Sequence, residues 1–187
     1  ALVEILEIYE VGLVIESATA TKNKNYALFK NIIKEKGVGL VQAVRGEKIS
    51  VGHLVELEIM HPFFSQNLEY ENLNNASVVV AVFFKNKKLL FMGDLEEQGE
   101  QALLNYLKQK NSLGRIEQLD LIKIGHHGSR TATGQKLLEL TKPKAAIISC
   151  GSDNKFHHPH TQTLEKLQER KIEILRTDEI GDIELKY

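Results

Sequence analysis

The sequence predicts an α/β fold, and three observations point there: amphipathic helical and strand-like periodicities alternate along the chain, short β-branched apolar runs repeatedly follow the amphipathic segments, and polar residues collect just after those runs. The first segment, "ALVEILEIYE", sets Leu2, Ile5, Leu6 and Tyr9 at helical spacing, and "VGLVIES" after it reads as a buried strand. "NYALFKNIIKEKG" is an amphipathic helix closed by Gly37, and "VGLVQAV" is the strand that follows. "HLVELEIMHP", which carries His53 and His61, alternates as a half-buried strand that stops at Pro62. "HPFFSQNLEYENLNN" is irregular but holds aromatics, so an ordered surface loop is expected there.

"ASVVVAVFFKNKKLLFMGD" reads as an antiparallel hairpin with "KNKK" as its turn and Asp94 ending the second strand. Helix "EEQGEQALLNYLKQK", strand "QLDLIKIG", helix "TGQKLLELTKP", strand "KAAIISCG" and helix "HTQTLEKLQERK" follow. "IEILRTDEIGDIELKY" is read as a closing strand pair turned at Gly181. No repeat, low-complexity tract or Pro/Gly/Ser-rich linker interrupts the pattern, so residues 1–187 are expected to form a single unit.

Composition narrows the function. A formal net charge of -1 over 187 residues lacks the broad electrostatic footprint of a nucleic-acid binder, so any such contact is local, around Arg130 and Lys136 for instance. Cys150 is the only cysteine, which excludes an intrachain disulfide and a thiolate zinc site and fits a small buried residue at a strand end. No apolar run approaches the roughly 20 residues that span a bilayer, and the acidic start is unlike a signal peptide. A soluble chain is expected, whether free or a piece of a membrane protein.

Three polar clusters fall at the carboxyl ends of successive expected strands: Asp94, then His126 and His127, then "SDNKFHHPH" with His157, His158 and His160. Open α/β sheets bind ligands at that edge. One aspartate with several histidines suits zinc, manganese or iron, and two metals would clamp the attacking and leaving oxygens of a hydrolysis. Each residue also has a plainer reading. Asp94 before a helix is equally an N-cap, while His53 and His61 read as structural.

The strings "LLFMGDLEEQGEQALL", "LDLIKIGHHGSRTATGQKLLELTKPKAAIISCGSDNKFHHPHTQTLEKL" and "ILRTDEIGDIEL" together resemble the metallo-β-lactamase-fold hydrolase domain of the competence protein ComEC and its soluble relatives, from about residue 75 to 187 and more loosely to residue 1. The resemblance implies an αββα sandwich. It implies Asp94 as the aspartate that bridges two metals and His158 as the last metal-ligand histidine. His126 and His127 match the family's pair, of which one completes the metal shell, taken here as His126, and both stand as catalytic candidates, with His127 facing a phosphate oxygen or developing charge. Ser129 and Thr131 are candidates for substrate oxygens or, equally, for satisfying the loop backbone. Asn154 is expected to orient the histidine loop.

One departure is large. The family's "HxHxDH" motif is absent, and "ALVEILEIYEVGLVIES" resembles the helix and strand that follow it, so an N-terminally truncated domain is expected, with two zinc or manganese ions in the intact parent and one or none in this chain. The strand before "GD" begins "NNAS", with no histidine at the family's usual third metal-ligand position, which fits the ComEC-like branch, where that place is Asn or Ser; His61 is the nearest substitute. Exposed sheet edges would then favour homo-oligomers, strand exchange or a complementing partner.

The resemblance implies a metal-dependent phosphodiesterase or nuclease that degrades one strand of DNA during uptake, with this chain inactive by itself. A soluble hydrolase of a small phosphoester or other ester, and a non-catalytic binding module, are the alternatives. A parent attached to a membrane channel domain would face outside the cytoplasmic membrane; a free relative would be cytoplasmic.

Overall fold

The computed structural model describes residues 2–17, 23–62, 72–109 and 113–186. Two sheets organise them. In the smaller, β1 (Leu13–Glu16) and β2 (Gly39–Gln42) run parallel, joined through α2 (Lys24–Glu35), and α1 (Leu2–Ile8) lies against α2. Asn23 caps α2 by accepting from the Asn25 amide at 2.8 Å, and Gly37, at φ +66°, takes the left-handed exit that ends it.

The larger sheet has seven strands in chain order: β3 (Lys48–Val51), β4 (Val55–His61), β5 (Val79–Phe84), β6 (Lys87–Phe91), β7 (Leu121–Lys123), β8 (Ala145–Ile148) and β9 (Glu173–Arg176). Pairing is antiparallel from β3 to β6 and parallel from β6 to β9. The change of direction follows from the connections. Lys85 and Asn86 alone turn β5 into β6, whereas the later strands are joined through α3 (Glu97–Gln109) and the short α4 (Leu113–Ile116), α5 (Gln135–Thr141) and α6 (Thr161–Glu169).

Because β6, β7, β8 and β9 add in one direction, right-handed crossovers put α3, α5 and α6 on the same face of the sheet. Leu103, Leu107, Leu138 and Leu167 from these helices bury against Leu90, Ile122 and Ala146 of the strands, a continuous core that fixes the strand ends relative to one another.

The structure departs from the sequence expectation at identifiable places. β3 was not anticipated; the hairpin turn takes in Gly52, His53 and Leu54, so His53 sits in a turn and not in a strand. Lys87 and Lys88 of the expected "KNKK" turn belong to β6. The closing strand pair is absent among the described residues: after β9, residues Thr177–Ile180 form the single-turn helix α7. Arg176 pairs there with Asp178 and Glu179, and the Thr177 hydroxyl donates to the Cys150 carbonyl at 2.8 Å, so the side chains fold the backbone back where a strand would run on. Residues 63–71 of the expected ordered loop lie outside the described residues. Cys150 is half-buried, and burial pushes its thiol up to about 11.

His61 is fully buried at the end of β4, and its Nε2 donates to the Asn75 carbonyl at 2.8 Å. Burial pushes its pKa down to about 4. The unfolded chain takes up that proton near pH 6.5 and the folded chain only near 4, so the stabilisation is complete above 6.5 and drains away as pH falls towards 4. We expect the wild-type protein to lose about 2 kcal/mol more stability than His61→Gln between pH 7 and pH 5 in urea unfolding; equal losses would refute the assignment.

Candidate functional site at the carboxyl ends of the parallel strands

β6, β7 and β8 lie side by side with Phe91 beside Lys123 and Lys123 beside Ile147, so the segments leaving them emerge at one edge. Asp94 follows β6. The backbone turns at Gly93, at φ +58°, and the Asp94 amide donates to the Ser77 hydroxyl at 3.0 Å. Asp94 does not cap α3: the Asn75 side-chain oxygen accepts from the Glu96 and Gly99 amides, and the Thr131 carbonyl accepts from the Glu97 amide. Its carboxylate is thereby left for the site. The "NNAS" run is thus the support of the Asp94 turn.

Gly125–Gly128 form a single 3-10 turn after β7, interrupted by two consecutive left-handed residues, His126 (φ 44°, ψ 47°) and His127 (φ 55°, ψ 22°). Non-glycine residues pay about 1 kcal/mol or more each for that conformation. Neighbouring loops hold it in place. The His126 amide donates to the Gly93 carbonyl at 3.1 Å, and the His160 amide to the Gly128 carbonyl at 3.0 Å. Gly128 has φ +84°, and a Cβ there would lie 2.6 Å from the Pro159 Cβ, so only glycine lets the two loops touch.

The turn aims the two rings differently. His127 donates from Nδ1 to the Ser149 carbonyl at 2.6 Å, which leaves Nε2 facing Asp94, 3.6 Å from Oδ1. His126 Nδ1 instead lies 2.9 Å from Glu96 Oε1, out of line for a hydrogen bond, so that contact is electrostatic. Burial would raise the Glu96 pKa, but hydrogen bonds from Asn74, Asn72 and Thr131 and the proximity of His126 hold it below the ordinary range. Of the pair, His127 is the one brought to Asp94.

The loop after β8 brings in the third histidine. Asn154 donates from Nδ2 to the carbonyls of Gly151 and His158, at 2.7 Å each, and accepts the His158 amide at 2.8 Å. His158 is thereby presented beside His126 and His127, with ring centroids 5.4 and 6.4 Å away. Burial lowers its pKa, the neighbouring histidines add to the effect, and Asp94 opposes it. His160 accepts the Arg130 amide at 3.1 Å, which gives it a structural role, and His157 is exposed. The Ser129 and Thr131 hydroxyls bond to each other at 2.9 Å, and Ser129 is buried, so the structure uses them within the loop.

Sequence reasoning missed Glu96, Glu100, Lys123 and Lys166. Glu100 is buried in α3 and accepts the amides of Thr133 and of Gly134, the latter at 2.7 Å; desolvation raises its pKa. Lys166 of α6 donates to the carbonyls of Ala132 and Thr133 at 3.1 and 2.8 Å. Together they grip the segment that leaves the histidine turn. Lys123 is half-buried at the end of β7; burial lowers its pKa and Asp94 counteracts that. A lysine inside the apolar run "LDLIKIG" was the available signal.

The donor set fits a metal only in part. Asp94 and His127 face each other, yet among the described residues no three His, Cys, Asp or Glu side chains gather into a metal-binding group. These residues do not complete a coordination shell by themselves.

A mixed sheet with a carboxylate and imidazoles gathered where its parallel strands end is an architecture suited to hydrolysis. Residues 26–152 match the family described as the Metallo-beta-lactamase superfamily, and the chain belongs to that superfamily, which is hydrolytic and in general uses divalent metals. Within it, the chain is similar to ComE operon protein 3 of Bacillus subtilis, at 33% identity over 82% of this chain and 18% of that protein. It is similar to Recombination protein 2 of Haemophilus influenzae, at 32% over 61% of this chain and 13% of that one. It also resembles Competence protein ComA of Neisseria gonorrhoeae, at 28% over 70% and 18% respectively. The match is that of a ComEC-like metallo-β-lactamase domain, and the chain spans less than a fifth of the length of these relatives.

Since Gly128 combines positive φ with the Pro159 contact, we expect Gly128→Ala to cost about 2 kcal/mol or more in thermal unfolding and to shift the histidine ring resonances in NMR spectra. An unchanged Tm and unchanged spectra would show that the two loops do not depend on this contact.

Proposed function

We propose that this chain carries part of a metal-dependent phosphodiesterase site that acts on DNA during its uptake. The observation that supports this most is that Asp94 faces His127, with the His158 ring stacked 6.4 Å from that of His127, at the ends of neighbouring parallel strands, in a chain of a hydrolytic superfamily whose similar proteins are named for competence and recombination. A divalent ion, zinc or manganese, would supply a Lewis acid and an acidified water when bound. Asp94, His127 and His158 are the residues proposed to hold it, with the remaining donors coming from outside the described residues.

The other roles fall to this chain's own groups. The Ser149 carbonyl fixes which His127 nitrogen faces the site. His126, beside Glu96, is proposed to hydrogen-bond a phosphoryl oxygen or to move a proton at the leaving oxygen. The Ser129 and Thr131 hydroxyls bond to each other just beyond the turn that aims both rings. Association with a channel domain or with a second copy belongs to the same proposal.

The test measures bound metal by elemental analysis, and hydrolysis of single-stranded DNA and of bis(p-nitrophenyl) phosphate, with zinc and with manganese. It uses this chain alone and the same chain extended upstream. We expect metal uptake and DNA cleavage in at least one of these forms, with Asp94→Asn and His127→Ala each lowering turnover by about 100-fold or more. Cleavage of the small ester but never of DNA would move the substrate to a small phosphoester. Neither metal nor turnover in any form would leave a binding module.

A further inference from the structure

Phe156, in the loop that presents His158, is 61% exposed. A lone exposed phenylalanine is ordinary on a protein surface. Three features set this one apart. Its loop is pinned on both sides of the ring by Asn154, through the carbonyl of Gly151 and both backbone groups of His158, so the side chain is displayed from a fixed backbone. The ring stacks on the His158 imidazole, with centroids 5.8 Å apart and planes 25° from parallel, and so extends the cluster of site rings outwards to solvent. The Lys155 ammonium lies over the same ring, 5.0 Å from its centroid.

An exposed aromatic face beside an exposed cation is what a single nucleic-acid strand requires, since the base needs a flat apolar partner and the phosphate next to it a positive charge. We propose that Phe156 is a stacking platform for an unpaired base of single-stranded DNA and that Lys155 pairs with the adjoining phosphate. The base would take the ammonium's place over the ring, and the ammonium would swing to the phosphate. This assignment rests on the phosphodiesterase reading and adds a substrate preference to it: a base stacked within a duplex offers no free face. It also supplies the local contact that an overall charge of -1 demands.

The test is fluorescence anisotropy of a short thymidine oligonucleotide and of an abasic strand of equal length and charge built from tetrahydrofuran spacers, without added metal. Wild-type protein should hold the thymidine strand about tenfold more tightly, the order of one base–aromatic stack. Phe156→Ala should erase that preference and Phe156→Trp keep it. Lys155→Gln should weaken both strands alike and lower the salt slope by about 0.7, the share of one phosphate on a single strand. Equal affinity of the wild type for the two strands, no binding of either, or a preference that survives in Phe156→Ala would overturn the proposal. Manganese-dependent cleavage of the abasic strand reports the hydrolytic reading separately. A base preference with no cleavage in any of the forms named above keeps the platform and removes the hydrolase, and cleavage without a preference does the reverse.

Discussion

The geometry of the strand ends hangs on two adjacent histidines held in the left-handed region. A helical or extended backbone at His126 and His127 would send neighbouring side chains along other directions. The double left-handed turn sends one ring to Asp94 and the other to Glu96. That conformation is unfavourable in isolation, so it persists because surrounding contacts over-determine it: the Gly93 carbonyl from the β6 side, Pro159 and His160 from the β8 side, and Glu100 and Lys166 gripping the chain just beyond. Helices α3 and α6 thus act on the site through the hydrogen bonds of the Glu100 and Lys166 side chains to its backbone.

This arrangement divides labour among residues that look alike in the sequence. His61 is buried structure, His160 receives a backbone amide, His127 faces Asp94, and the His158 ring stacks beside that of His127. Asn75, Ser77 and Asn154 are not spectators: each satisfies backbone groups that would otherwise compete for the aspartate or leave the histidine loop unsupported. A site with strained turns and half-buried polar groups needs such support to keep its geometry.

The sequence determined the alternation of helices and strands and the placing of Asp94, the histidine pair and the "HHPH" loop just after successive strands. These follow from local periodicity, which needs no knowledge of distant contacts. The motifs also sufficed to name the superfamily. The tertiary structure alone decided which histidine meets Asp94, because ring direction depends on a carbonyl 22 residues away at Ser149. It alone decided that Asn75 and not Asp94 caps α3, because Asn75 arrives from the far side of a hairpin. It also removed the closing strand pair, since the ion pairs of Arg176 and the Thr177–Cys150 bond outweigh the β propensity of the last residues. Each of these outcomes turns on partners remote in the chain, and local patterning carries no information about them.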